Sequence, residues 1–405
     1  MNQKINLTLA LAIIGMLFFI IGFAFNINGI LVPYLQKAFE LSSVESYYVL
    51  TATFGAFVVF GYPSGLIVKK IGYKKSMSLA FLFFAVGLCL FIPSAHYENF
   101  ILFLVASFIS GMGNTLLQTA INPYVTICGP IESAAKRMCL MGILSKSGWA
   151  IAPLFLAIFL DLNETPVLSA MFSPFYIIVG VMIVVGIAIM FVPLPEISAQ
   201  GEDVENNEEP AIKKFTDGKK NVLQFPHLLL GAGALFLYAG IETITLVTPI
   251  DYAHTLGFNN PEIYTTYTVI SMIIGYTLGV ILIPKVISQR KGLIYCSILG
   301  ILFSLAVVTV SARYAIYFVA LMGFSNSLVW GAVWPMAISY LGKFTKAGSS
   351  LLVTAIVGGA ILPLLFGWLK DEIGIQNAYW MCLPFYLYTL YYALKGYKVG
   401  LKSFE

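Results

Sequence analysis

Three amide side chains recur at every fourth position in one apolar stretch of the chain. Asn114, Gln118 and Asn122 lie at i, i+4 and i+8, with Thr115 and Thr119 beside them. In a helix this spacing places the three amides along one face. Amides both donate and accept hydrogen bonds, so such a face suits a ligand that carries several hydroxyl groups. The alternative is hydrogen bonding between helices, which polar groups in apolar helices also provide.

A second apolar stretch repeats this spacing with aromatic residues. Asn326, Trp330 and Trp334 again lie four residues apart. An indole offers a flat apolar face, and a pyranose sugar combines hydroxyls at its rim with C–H groups on its faces. A site between one helix face that carries amides and another that carries indoles would therefore suit a monosaccharide. The alternative for the tryptophans is anchoring at the membrane interface.

Two ionisable residues, Lys146 and Glu242, also lie well inside apolar stretches. Either one, charged and alone in hydrocarbon, would cost at least ~2.5 kcal/mol on insertion scales. Facing a shared aqueous cavity, they could neutralise each other or alternate partners with a substrate or an ion. We therefore predict Glu242 as the ion-coupling carboxylate and Lys146 as its partner or as a donor to sugar hydroxyls. A fixed pair that only positions helices is the alternative.

Asn26 aligns with Glu242 at an offset of 216 residues, whereas Asn28 lies about 200° further round the helix. We predict that Asn26 faces the site, together with Trp149 next to Lys146. The predicted substrate-binding residues are Asn26, Asn114, Gln118, Asn122, Lys146, Trp149, Asn326 and Trp330, and the predicted ion-coupling residues are Glu242 and Lys146.

The composition requires that these residues sit in a membrane. Apolar residues make up 59% of the 405 and charged residues only 10%, whereas soluble chains carry about 25% charged residues. The chain is therefore a polytopic membrane protein, which excludes a soluble enzyme, a nucleic-acid binder and a disordered protein. The net charge of +4 creates no large basic field.

Twelve apolar runs are each long enough to cross the bilayer as a helix, which predicts an all-α protein with twelve transmembrane helices. The predicted spans are 7–32, 47–68, 76–94, 100–127, 138–160, 171–193, 226–250, 263–285, 292–311, 314–341, 348–369 and 376–394.

One long polar segment leaves six spans on each side. We predict an N-terminal six-helix bundle at 1–198, a cytoplasmic linker at 199–224 and a C-terminal six-helix bundle at 225–405. With both termini inside, nineteen of the 23 lysines and arginines fall in inner segments. The positive-inside rule therefore places both termini in the cytoplasm.

The two halves share three motifs in the same order. Pro33 matches Pro249, the GYxxG at 61–65 matches that at 275–279, and a G-x-x-N pattern starts at both Gly111 and Gly323. The offsets are 216, 214 and 212 residues. Two six-helix repeats are typical of a transporter with a central site between two rocking bundles.

Other site types find no support in the sequence. The five cysteines form no CxxC and have no metal-ligand spacing with histidine, so we predict reduced thiols and no metal site. HExxH, GxSxG and Walker A motifs are absent. With no nucleophile–base constellation either, we predict no catalytic residues and no enzyme activity.

Several motifs carry a resemblance to a known family. They are QTAINPY at 118–124, GLIVKKIGYKK at 65–75, NSL from 326, GSSLL at 348–352 and IVGGAILP at 356–363. With these, the chain resembles the fucose–galactose–glucose:cation symporters, a branch of the major facilitator superfamily, over nearly its whole length.

This resemblance implies import of a neutral hexose such as glucose, galactose or fucose, coupled to sodium ions or protons. It implies no cofactor beyond that cation, a monomer in the lipid bilayer of the bacterial inner membrane, and no nucleic-acid partner. Glu242 falls where the glucose/galactose branch has a glutamate.

The chain also departs from the family. Asn26 and Gln118 replace proton-carrying carboxylates of some members, and amides cannot carry a proton. A Gln-x-x-Asn motif of span five is replaced by Gly142 and Ser145. Two alternatives therefore stay open: a transporter of an acidic sugar, uronate or sialic acid, that uses Lys146, and a sugar sensor on a transporter scaffold.

Overall fold

The computed structural model of the chain describes residues 7–40, 48–159, 172–195 and 218–401, together with residues 197, 212, 215 and 216. All the regular structure within these residues is helical. Nine helical segments of the described residues are long and apolar enough to cross a membrane, and one of them, Thr51–His96, spans 46 residues.

The helices follow the predicted spans closely. In chain order they are α1 (Leu7–Ala38), α2 and α3 (the two arms, 48–71 and 73–96, of Tyr48–His96), α4 (Phe100–Ile127), α5 (Ala134–Leu156), α6 (Phe172–Phe191), α7 (Pro226–Thr255), α8 (Glu262–Leu282), α9 (Gln289–Thr309), α10 (Ala312–Ala337), α11 (Thr345–Thr354 and Gly358–Ile373) and α12 (Cys382–Leu394, preceded by the turns Ile375–Ala378 and Tyr379–Met381).

The connection between α2 and α3 is shorter than predicted. The sequence predicts that span two ends at 68 and span three starts at 76, but the helical segment runs on through the lysine-rich stretch and breaks only at Gly72. This residue has φ 83° and ψ 173°. Such a conformation is open to glycine and costly for other residues, so one glycine is enough to turn the chain.

The eleventh predicted span is formed by two α-helical parts in sequence. A 3₁₀ turn at Ala355–Val357 separates its two parts. Gly358 follows the turn and lies so close to the Phe236 carbonyl of α7 that a Cβ would overlap it. Pro363 also cannot supply a backbone N–H to the helix, which weakens the same region.

The chain divides into two compact units. The first comprises Met1–Tyr124, Leu144–Ile197 and Ser349–Thr354, and the second comprises Val125–Ile143, Ser198–Gly348 and Ala355–Glu405. α5 and α11, which occupy equivalent positions in the predicted repeat, are therefore each divided between the units. The six-helix bundles at 1–198 and 225–405 stay a prediction.

The end of the predicted linker is ordered, while 199–211 lies outside the described residues. Val222–Gln224 forms a 3₁₀ turn that Asn221 caps by accepting a hydrogen bond from the Leu223 backbone. The Lys219 ammonium lies over the rings of Phe215 and Phe225, at 4.9 and 4.7 Å from their centroids. This end of the linker is thus fixed rather than a purely solvated chain.

The predicted repeat is visible in the packing of two glycines. Gly111 of α4 lies against the Thr53 carbonyl of α2, and Gly323 of α10 lies against the Thr268 carbonyl of α8. The paired positions differ by 212 and 215 residues. The G-x-x-N motif therefore marks equivalent helix crossings in the two halves.

The GYxxG motif, in contrast, has different contacts in the two halves. Gly61 lies against Thr354 of α11, whereas Gly275 lies against Ser327 of α10. Small residues permit close helix approach wherever they occur, so a shared motif does not guarantee a shared neighbour.

Arg137 is buried at the start of α5. Its guanidinium donates hydrogen bonds to the carbonyls of Val125, Thr126 and Pro130 at 2.8, 2.7 and 3.0 Å. A fourth hydrogen bond, from Nη1, reaches the Ser133 hydroxyl at 2.7 Å. Carbonyls at a helix C-terminus lack intrahelical partners, so Arg137 caps the end of α4.

We expect that the helix crossings at Gly111 and Gly323 do not tolerate an added methyl group. Gly111→Ala and Gly323→Ala should each destabilise the protein by about 1–3 kcal/mol, because the new Cβ would overlap a backbone carbonyl that cannot rotate away. Thermal unfolding of the purified protein in detergent measures the loss. Gly180→Ala in α6 is the matched control, since a Cβ there would meet nothing within 4 Å. An equal loss in the control would contradict the packing argument.

Candidate functional site

The three amides of α4 form a ladder along one face of the helix. Gln118 Nε2 donates to Asn114 Oδ1 at 3.1 Å, and Asn122 Nδ2 donates to the Gln118 backbone carbonyl at 3.0 Å. Asn114 and Asn122 are buried, whereas Gln118 is partly exposed. Gln118 is therefore the member of the ladder with most access to a ligand.

The helix that carries the ladder is braced on two sides. The Thr119 and Ser64 hydroxyls share a hydrogen bond of 2.8 Å between α4 and α2. Gly113 of α4 lies against the backbone of α3 at Phe84. These contacts fix the rotation of α4, so the sequence spacing of the amides becomes a fixed geometry in space.

α1 and the second half of α5 cross at two glycines. Gly22 lies against the Ser145 carbonyl and Gly148 against the Phe19 carbonyl, with no room for a Cβ at either position. Near this crossing, Asn26 Nδ2 donates to the Trp149 carbonyl at 2.7 Å. The amide donor of Asn26 thus joins the two helices.

Lys146 and Trp149 lie beside this crossing on α5, and both are partly buried. The structure thus brings Asn26, Lys146 and Trp149 together in the unit that also holds the amide ladder. Both residues thus keep part of their surface exposed.

Glu242 is partly buried in α7 and belongs to a small polar cluster of the second unit. The Tyr238 hydroxyl, one helical turn away, is hydrogen-bonded to the Glu242 side chain and to the Tyr276 hydroxyl of α8. The Tyr238 ring lies 6.1 Å from the indole of Trp330, and the Trp330 ring lies 5.0 Å from that of Trp334. The carboxylate therefore lies within an aromatic environment.

Asn326 is fully buried, and its amide is engaged across three helices. Asn326 Nδ2 donates to Thr245 Oγ1 of α7 at 3.0 Å, and the Tyr386 hydroxyl of α12 donates to Asn326 Oδ1 at 2.7 Å. Trp334 is also fully buried, whereas Trp330 is partly exposed. This arrangement favours interhelical hydrogen bonding for Asn326, the alternative noted from the sequence.

Sequence reasoning missed the tyrosine partners of these residues. Tyr238 lies four residues before Glu242, so helical periodicity alone could have paired them. Tyr276 is the tyrosine of the second GYxxG motif, but nothing in the sequence links it to Glu242. Tyr386 lies 60 residues after Asn326 and gives no local signal.

All five cysteines are free; Cys89 is exposed and the other four are buried. Among the described residues, no group of three or more histidine, cysteine or acidic side chains could hold a metal ion.

The predicted site residues thus form two sets, one in each unit. The first unit holds Asn26, Asn114, Gln118, Asn122, Lys146 and Trp149, and the second holds Glu242, Asn326 and Trp330. That both sets face one aqueous pocket stays a prediction.

Replacing Asn326 should lower stability more than replacing Gln118. Asn326→Ala leaves the buried Tyr386 hydroxyl without its acceptor, which should cost about 1–3 kcal/mol. Gln118→Ala should cost less, because Gln118 is partly exposed. Thermal unfolding without added sugar measures both losses.

The double variant Asn326→Ala/Tyr386→Phe provides the control, because it removes both partners and should cost less than the sum of the two single changes. Additive losses, or a larger loss for Gln118→Ala, would argue against a structural role for Asn326.

Comparison with known proteins places the chain in a family. The model of the Major Facilitator Superfamily matches residues 14–356. A glucose/galactose transporter of Brucella abortus is 32% identical over 407 residues, covering 98% of this chain and 96% of the relative. The L-fucose-proton symporter of Escherichia coli is 27% identical over 401 residues, covering 92% and 89%.

A solved structure shares the fold over nearly the whole chain. The crystal structure of the major facilitator superfamily transporter FucP in the outward conformation matches with a TM-score of 0.80 and 25% identity, covering 95% of this chain and 97% of that one. These relatives are transporters and not enzymes. The chain is a multi-pass membrane protein with the twelve-helix fold predicted from its sequence, and it belongs to the Major Facilitator Superfamily.

Proposed function

We propose that this protein is a secondary active transporter that imports a neutral hexose, such as glucose, galactose or fucose, by alternating access coupled to protons or sodium ions. It lies in the bacterial inner membrane as a monomer, with both termini in the cytoplasm. Bundles at 1–198 and 225–405, joined by the linker at 199–224, surround a central site. The amide ladder of α4 is the observation that carries this proposal.

The ladder has the chemistry that a sugar requires. The Gln118 amide can both donate to and accept from the hydroxyl groups of a sugar. Asn114, one turn earlier in α4, holds this amide in place by accepting its hydrogen bond. A polar site that is braced before binding loses little side-chain entropy when the ligand arrives. The similarity to glucose/galactose transporters over 98% of the chain supports a hexose as this ligand.

Aromatic faces complete the proposed site. Trp330 and Trp149 are both partly exposed and supply flat apolar surfaces for the C–H faces of a pyranose. Asn26, bonded to the Trp149 carbonyl, holds that part of α5 in place. We assign Asn326 a structural role rather than a contact with the sugar, because its side-chain amide is hydrogen-bonded to α7 and α12.

Glu242 is the group that couples sugar to cation. Asn26 and Gln118 are amides and cannot carry a proton, so a carboxylate elsewhere must respond to the ion. Glu242 lies in mid-helix, partly buried, with a tyrosine hydroxyl beside it. The E. coli relative is a proton symporter by name, which supports a proton as the coupling ion, with sodium as the second candidate.

Lys146 favours a second candidate substrate, an acidic sugar such as a uronate or sialic acid. A partly buried ammonium in mid-helix would neutralise a substrate carboxylate. In the hexose transporter, the same group instead donates to sugar hydroxyls or balances Glu242.

Counterflow in proteoliposomes tests the substrate class. Labelled hexose should enter vesicles preloaded with unlabelled hexose, and glucose, galactose or fucose should compete. Gln118→Ala should raise the KM by roughly twofold to tenfold, the value of one hydrogen bond. Competition by uronate or sialic acid in place of hexose would favour the acidic sugar. Binding of sugar without any counterflow would indicate a sensor.

Charge removal tests the coupling. Glu242→Gln should abolish ion-driven accumulation, because an amide neither takes up a proton nor binds a cation strongly. Lys146→Met should reduce accumulation or raise the KM for sugar. Uptake is measured with sodium and pH varied independently.

Glu372→Gln and Lys285→Met are the charge-matched controls, since both side chains are exposed at helix ends. If Glu242→Gln and Lys146→Met leave uptake and its ion dependence intact, these two residues do not couple the ion.

A further inference from the structure

We propose that Gly142 of α5 and Tyr276 of α8 are positioning residues for ion coupling: Gly142 leaves the space in which Tyr276 holds Tyr238 against Glu242. This inference rests on the proposed function to the extent that Glu242 is the coupling carboxylate. Neither Gly142 nor Tyr276 touches the sugar in this scheme.

The first observation is the hydrogen-bonded chain of three side chains. The Tyr238 hydroxyl is bonded to both Glu242 and Tyr276, and the two tyrosines are only 3% and 5% exposed. A tyrosine hydroxyl has one proton to donate. While Glu242 is ionised, Tyr238 donates to the carboxylate and must accept from Tyr276. A proton or cation on Glu242 removes the need for that donor.

The second observation is the absence of a side chain at Gly142. A Cβ at this position would lie 2.6 Å from Cε1 and 2.7 Å from Cζ of the Tyr276 ring. The ring therefore occupies the volume that any other residue at position 142 would fill. The absence of a side chain at Gly142 therefore leaves room for the Tyr276 ring.

The ring of Tyr276 is closely packed on its other sides as well. It belongs to a buried cluster with Cys139 of α5, Cys296 of α9 and Leu328 of α10. Interiors are close-packed, so a displaced ring must move others or shift its own hydroxyl. Shifting the hydroxyl weakens the bond to Tyr238 and, through it, the support of Glu242.

The position of Gly142 along α5 gives the contact its significance. α5 passes from the second unit to the first between Ile143 and Leu144, one residue beyond Gly142. Any movement of α5 during transport therefore reaches Glu242 through two side chains. The titratable groups that act on Tyr276 along this path are the Glu242 carboxyl and the Tyr238 hydroxyl of α7, and the Cys139 thiol of α5.

Two transport modes distinguish a positioning role from a structural one. Counterflow needs sugar exchange only, whereas accumulation needs coupling to the ion. Tyr276→Phe and Gly142→Ala should each lower the ratio of accumulation to counterflow by roughly fivefold to tenfold, the value of one hydrogen bond between neutral groups. The double variant should be no worse than the stronger single one, because both changes break the same contact.

Gly279→Ala is the matched control. It lies one turn from Tyr276 on α8, and the atoms nearest to its Cβ would be Leu328 Cδ2 at 2.6 Å and Cys139 Sγ at 2.7 Å rather than the tyrosine ring. It should lower both transport modes in parallel or neither. If Gly142→Ala behaves like Gly279→Ala, or if Tyr276→Phe leaves the ratio unchanged, the proposal is wrong.

A sugar-free measurement separates this proposal from the proposed function. Trp330 lies 6.1 Å from Tyr238, so its fluorescence should report cation binding at Glu242. Titration with sodium at fixed pH, and with protons at fixed sodium, should give a midpoint that Tyr276→Phe shifts by roughly fivefold to tenfold in cation concentration. Trp330→Phe should abolish the signal.

The outcomes of the two experiments are distinct. A shifted midpoint in a protein that exchanges no sugar would support the positioning role and overturn the sugar assignment. Sugar exchange with a cation midpoint that Tyr276→Phe does not move would overturn the positioning role alone. A wild-type protein without any cation response would also overturn it.

Discussion

A polar group in an apolar medium must find its partner within the protein, and this requirement shapes the whole molecule. Hydroxyls meet it by bonding back to the carbonyl one turn earlier on their own helix, as Thr53 does to Val49 at 3.0 Å and Thr119 to Thr115 at 2.8 Å. Arg137 meets it by capping the end of α4. Such groups stabilise the helices and their ends. The polar side chains that remain partly exposed are therefore the candidates for binding a ligand or an ion.

Close contacts between helices then hold those side chains in place. Gly22 and Gly148 bring α1 and α5 together beside Asn26, and Gly111 brings α4 onto α2 below the amide ladder. Because dispersion forces between closely packed backbones drive association in membranes, small residues contribute as much to the site as the polar ones do. The geometry of Gln118 is in this sense set by Gly111, two turns away.

The sequence predicted what depends on spacing along one helix. The amide ladder follows from a periodicity of about four residues, and the equivalence of Gly111 and Gly323 follows from a repeated motif. The set of spans follows from the length of the apolar runs. Two local features were not part of the prediction: α2 and α3 meet directly at Gly72, and a 3₁₀ turn divides α11 at Ala355–Val357. Both depend on glycine and on a neighbouring helix, which a hydropathy pattern does not describe.

Contacts between residues on different helices could not be predicted from the sequence. The bond between Tyr386 and Asn326 joins residues 60 positions apart, and Tyr276 reaches Gly142 from a different half of the chain. Gly61 and Gly275 share the GYxxG motif but contact different helices, α11 and α10. Hydrogen-bond partners and space between helices are properties of the folded chain, so no single-helix pattern encodes them.

The shared threonine–glycine crossings of α2–α4 and α8–α10 place an asparagine three residues after the glycine in each half. The two asparagines have different surroundings: Asn114 accepts a hydrogen bond within a row of amides, whereas Asn326 joins α10 to α7 and α12. One backbone contact is therefore compatible with two kinds of amide, one beside a partly exposed glutamine and one sealed among three helices. Likeness in backbone packing between the halves does not extend to the chemistry of their side chains.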